Sequence, residues 1–146
     1  MVTVPAVLFI LELAVSKPLF VNGLFIGSDN GLYQLNKKTQ LIELFQTSDR
    51  FSIEDEITAL TISGNTLYVA TENCIYQIIE PQNTVQSLCH EALFNWLQGK
   101  NIYAMKIKGD HLWIGTSNGL ARFDVSQKKL KLFNRDPHNK TTLSSN

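Results

Sequence analysis

A chain of 146 residues can bury one sizeable core, and 44% hydrophobic residues do not make a disordered composition. Thirteen basic residues balance thirteen acidic ones without a block of either sign. That excludes the basic stripe that nucleic-acid binding needs. The densest cationic run, Lys128, Lys129 and Lys131, reads as a solvated strand edge.

Residues 1–13 open the chain as an apolar segment, nearly continuous over 4–15 and broken by Glu12. The run is shorter than the roughly 20 residues of a membrane span. It fits either a buried edge strand or a degenerate export signal, although no Lys or Arg precedes it.

The next stretch, 14–56, contains runs at 24–28, 32–35 and 41–45. Its first strand is expected within 14–21, closed by the tight turn pair Asn22-Gly23. Pro18 lies there and lacks a ladder donor, so this strand belongs at an edge.

Residues 57–101 give four runs, at 57–62, 67–71, 74–79 and 84–89. Gly64-Asn65, Glu72-Asn73 and the 80–83 segment punctuate them. Residues 102–146 repeat the scheme with runs at 102–107, 112–116, 120–125 and 130–133. Short runs parted by such turns describe four-stranded antiparallel meanders.

The three units share a sequence. LFIGSDNGLYQL at 24, LYVATENCIYQI at 67 and LWIGTSNGLARF at 112 stand at offsets of 43 and 45 residues. Each has a leucine, an aromatic (Phe25, Tyr68, Trp113), a β-branched residue, a small residue and a hydroxyl, then an Asn two positions on. Self-similarity at this period means stacked copies of one supersecondary unit. Strands such as Leu112-Trp113-Ile114 do not alternate, so both of their faces are covered. The predicted fold is all-β: four-stranded antiparallel β-propeller blades, about three of them, in an incomplete propeller.

The third unit resembles the two-component regulator propeller repeat. Leu112-Trp113-Ile114-Gly115-Thr116 followed by Asn118-Gly119-Leu120 matches its central strand and turn, and the tail from Phe133 resembles its inter-blade connection. The first unit departs mildly at Phe25 and Ser28, and the second more, with Ala70 and Cys74 in place of glycines. The resemblance covers about residues 19–146. It implies the extracytoplasmic or periplasmic sensor region of a bacterial membrane-bound signalling protein, detecting a small ligand, often a saccharide. No kinase histidine motif, nucleotide-binding region, span after the propeller or adjoining sandwich domain stands in the sequence.

Closed propellers have about four to eight blades. Three leave two faces bare, at a loss on the order of 10 kcal/mol per face for about five large apolar side chains. Asn146 aligns with Asn101, just before a first strand. The end blades are therefore expected to meet further blades of a longer sensor or a second copy, and membrane contact is expected only through other parts of such a parent.

Cys74 and Cys89 open the third strand and close the fourth of one hairpin. Pairing 79 with 84 sets 74 opposite 89, close enough for a disulfide; two buried thiols are the alternative. Neither a metal nor a cofactor is expected, because the cysteines lack zinc-site spacing. His90, His111 and His138 occupy unrelated positions, so no catalytic set converges and no enzyme is expected.

The repeated aromatics read as inter-blade packing. Trp96 differs: it falls in an irregular 91–100 loop with Asn95 beside it. Aromatic plus amide suits stacking on a sugar ring, against the alternative of a loop anchor. Second-to-third strand turns and inter-blade connections share one propeller face. This rim gathers Asp29, Asn30, Glu72, Asn73, Asn118, Trp96 and Arg135. The repeated Asn also serves its turn by tolerating left-handed geometry. Ligand sensing leads these readings, followed by a protein-interaction scaffold; a propeller lyase or hydrolase is disfavoured.

Overall fold

The computed structural model describes residues 9–11, 24–36, 38–80 and 82–133. The first sheet holds β1 (Phe9–Leu11), β2 (Leu24–Ser28), β3 (Gly31–Asn36) and β4 (Leu41–Leu44). The second holds β5 (Ile57–Ser63), β6 (Thr66–Thr71), β7 (Ile75–Ile79) and β8 (Thr84–Ser87). A helix, α1 (Glu91–Leu97), precedes the third, made of β9 (Ile102–Lys108), β10 (His111–Thr116), β11 (Gly119–Asp124) and β12 (Lys129–Phe133). Each sheet is a four-stranded antiparallel meander in chain order. The fold is all-β, with three propeller-type blades.

One strand is not where the turn signals put it. The first blade begins with β1, whose Phe9, Ile10 and Leu11 pair with Gly27, Ile26 and Phe25. It is the edge strand of its sheet and is drawn from the apolar 1–13 segment rather than from 14–21. Residues 14–21 and the Asn22-Gly23 pair lie outside the described residues.

The middle blade is buried from both sides, which explains why its strands do not alternate. Leu67, Val69 and Ile78 face the first blade, meeting Phe25, Leu32, Phe45 and Ile53. Tyr68, Ala70 and Ala59 face the third, meeting Met105, Ile107, Leu112, Ile114 and Phe123. Successive side chains on one strand thus feed two separate cores.

The backbone repeats even where the sequence does not. Gln40 (φ 60°), Asn83 (φ 53°) and Lys128 (φ 55°) sit at the same offsets of 43 and 45, each left-handed in its third-to-fourth strand turn. Only the geometry is shared by these three residue types.

Equivalent glycines meet different surroundings. A Cβ on Gly27 would lie 2.5 Å from Cγ2 of Ile57, because the second blade packs directly on that strand. On Gly115 it would meet only the Ala104 carbonyl, at 3.8 Å. The repeated aromatic follows suit: Phe25 is 0% exposed, Tyr68 8%, and Trp113 only half-buried.

Candidate functional site

Each second-to-third strand turn is closed by the hydroxyl of the repeat. Ser28 Oγ donates to the Gly31 carbonyl at 3.1 Å and accepts the Asn30 amide at 3.2 Å. Thr71 Oγ1 donates to the Cys74 carbonyl at 3.2 Å and accepts the amides of Cys74 at 3.1 Å and Asn73 at 3.4 Å. Thr116 Oγ1 repeats this with the Gly119 carbonyl at 3.1 Å and the Asn118 amide at 3.3 Å. The repeated serine and threonine are thus structural clasps, a role visible in the repeat itself but missed in reading it.

The left-handed role expected of the repeated Asn is a correction. Gly31 (φ 128°) and Gly119 (φ 132°) take the positive φ, whereas Asn30, Asn73 and Asn118 are not left-handed. Each Asn enters its clasp through the backbone amide. The tips Asp29-Asn30, Glu72-Asn73 and Ser117-Asn118 are all exposed.

A linker crosses beside every tip, as the shared rim requires. The Leu32 amide donates to the Ile53 carbonyl at 2.9 Å, and a Cβ on Gly31 would lie 2.5 Å from that oxygen. Ser117 N donates to the Asn101 carbonyl at 3.0 Å. In the middle blade the tie is covalent: Cys74 and Cys89 form a disulfide, with Cα atoms 5.5 Å apart. The ladder beside it pairs Tyr76 with Ser87 and Ile79 with Thr84.

Trp96 is not on an irregular loop. Residues 91–97 form α1, which buries Leu93 and Leu97 four positions apart and carries Glu91 in its first turn. Trp96 packs half-buried against the core between the second and third blades, and Lys100 Nζ stands 5.5 Å from its ring centroid. The Lys100 ammonium also donates to the Trp96 carbonyl. One face of the indole is therefore already occupied. Asn95 is exposed on the same helix, and Arg135 lies outside the described residues.

Two depressions stand elsewhere. One, of about 450 Å³, is lined on the first blade by Gln34, Asn36, Lys38, Glu43, Leu44 and Gln46. The other, of about 440 Å³, runs between the 47–51 loop and the outer strands of the second blade, with Asp49, Phe51, Tyr76 and Asn83 in its walls. Neither is lined by Asp29, Asn30, Glu72, Asn95, Trp96 or Asn118. Asp49 is held below the usual carboxylate range, chiefly by the Thr47 hydroxyl, and burial pushes the Tyr76 phenol up. Among the described residues no three His, Cys, Asp or Glu side chains converge to hold a metal.

The third blade's other face is aromatic and cationic. Trp113 pairs across the sheet with Lys106 and Arg122, and Arg122 with Lys131. Trp113 stacks on Phe133 at 5.5 Å, with the Arg122 guanidinium 5.9 Å from its centroid. His111 and Asp124 approach to 3.6 Å beside them.

No family model matches the chain, and no curated protein matches it. Among solved structures it is similar to the extracellular domain of BT4673 from B. thetaiotaomicron, described in one structure as a hybrid two-component system and in another as a one-component system. Identity is 23% and the TM-score 0.62, over 83% of this chain. The chain spans 16% of that structure's length. It is also similar to the N-terminal domain of Nup159, at 16% identity and a TM-score of 0.51, covering 78% of this chain and 31% of that one. These likenesses carry the fold. Among the described residues no helix is long and apolar enough to cross a membrane.

Proposed function

We propose that the chain is a ligand-sensing propeller segment of a bacterial two-component-type signalling receptor. It binds a small molecule, of saccharide class, and passes occupancy on by favouring one arrangement of blades over another. The observation that carries this is the three-blade match to the extracellular domain of BT4673 over 83% of the chain. The Cys74–Cys89 bridge supports an oxidising, extracytoplasmic or periplasmic setting. We assign binding rather than catalysis, and further blades as neighbours.

The test is calorimetric titration of the chain with neutral and charged sugars, amino acids and nucleosides. Saturable binding of at least one class is expected; no binding anywhere in the library, up to millimolar concentrations, overturns the reading. A second reading, an interaction scaffold, draws on the cationic and aromatic third-blade face and on Tyr103, which is 65% exposed. It is favoured if sedimentation shows concentration-dependent association of the chain while every small molecule fails.

A further inference from the structure

The two described linkers solve one problem differently. Residues 88–101 cross from the second blade to the third carrying α1, and Leu93, Leu97 and Trp96 fill the space beside Val125 and Leu130. Residues 45–56 cross from the first blade to the second without a helix, and the space beside the outer strands of the second blade stays open as the 440 Å³ groove. At the repeat position where the third blade has the buried Ala121, the second has Tyr76, which lines the groove. A volume of this size falls in the range of about 300–1,000 Å³ typical of small-molecule sites.

The open wall is built. The Thr47 amide donates to the Phe51 carbonyl and the Arg50 amide to the Thr47 carbonyl, each at 3.0 Å. The Phe51 amide returns to Thr47 Oγ1 at 3.0 Å, and that hydroxyl donates to Asp49 Oδ1, orienting the carboxylate. A Gln46–Ser52 bridge closes the loop at its base. Held this way, Phe51 stays 43% exposed, its ring 6.4 Å from that of Tyr76 and tilted by 52°.

We infer that this groove binds a neutral, polyhydroxylated ligand, a mono- or disaccharide, between Asp49 and Phe51 of the 47–51 loop and Tyr76 and Asn83 of the second blade. The inference rests on the ligand-sensing reading and gives it a location. Aromatic faces take the C–H faces of a pyranose, while carboxylate, amide and hydroxyl groups take its hydroxyls in pairs. The remaining lining side chains are Thr47, Ser48, Gln82, Thr84, Val85 and Ser87. Among the described residues no Lys, Arg or His lines the groove, so an anionic ligand meets Asp49 there and no counter-charge.

The experiment titrates the full chain with glucose, galactose, arabinose and their disaccharides, alongside glucuronate and glucose 6-phosphate. Binding is read by calorimetry and by backbone amide shifts. A neutral sugar is expected to bind and to move the amides of 47–51 and 82–87, leaving those of 29–30 and 117–118 in place. F51A and D49N each weaken it by about ten-fold, the loss of one good contact, while W96F leaves affinity unchanged. Both groove residues are exposed at the surface, and unchanged far-ultraviolet spectra certify the variants. Sugar binding that ignores F51A and D49N, or shifts at the tips instead, overturns the groove and leaves the sensing reading standing. Equal affinity for glucuronate overturns the neutral class. Failure of every sugar while another class of molecule binds overturns this inference together with the saccharide class, and leaves small-molecule sensing standing.

Discussion

Gly27 and Gly115 occupy one position of one motif, yet the first is pressed against Ile57 and the second has nearly free space above it. The aromatic two residues earlier tells the same story, from Phe25 sealed in the core to Trp113 half in water under a cationic fringe. A repeat motif therefore specifies the shape of a blade, whereas its neighbour decides what each side chain contributes. The same letters carry stability at one end of the row and availability at the other.

The largest test of that contrast is truncation of the paired aromatics. Phe25→Ala is expected to cost about 3–5 kcal/mol in denaturant unfolding, as for a fully buried ring. Trp113→Ala should cost less than about 2 kcal/mol, and equal losses would break the comparison. Next comes the staple of the middle blade. The bridge closes a separation of 15 residues, so reduction should lower stability by about 3 kcal/mol. The Cys74→Ser, Cys89→Ser double variant should match the reduced protein and no longer respond to reductant. Gly27→Val should then cost about 1–3 kcal/mol through overpacking against Ile57, while Gly115→Val stays within about 0.5 kcal/mol.

The smallest effect concerns pH. Asp124 lies below its ordinary value of 3.8, first through the Gln127 amide and then through the Ser126 hydroxyl. The unfolded chain then binds more protons in the window beneath that value, so stability rises with pH there. Its contribution is complete above 3.8 and is lost as pH falls through the lowered folded value. Unfolding midpoints measured down an acid series should fall less steeply in Asp124→Asn.

The blade pattern was legible because turn residues and apolar runs recur at fixed offsets, and the cysteine register followed from counting across one hairpin. The start of the first blade was not, since an apolar run without a bounding turn declares no register. The α1 helix was hidden because Leu93 and Leu97 are the only two fully buried positions its seven residues offer. The groove was out of reach for another reason: it exists where one linker lacks what the next one has, and the repeat motif covers neither linker. Trp96 drew notice as an aromatic beside amides, yet packing and Lys100 hold it as an anchor.

The hydroxyl clasps carry a consequence for how such a molecule changes over time. Ser28, Thr71 and Thr116 close their turns through main-chain atoms of the neighbours, so these bonds ask nothing of the side chains at 29, 72 and 117. Those three positions already read Asp, Glu and Ser. New chemistry can be written onto each fingertip one letter at a time, and the palm beneath need not be refolded to hold it.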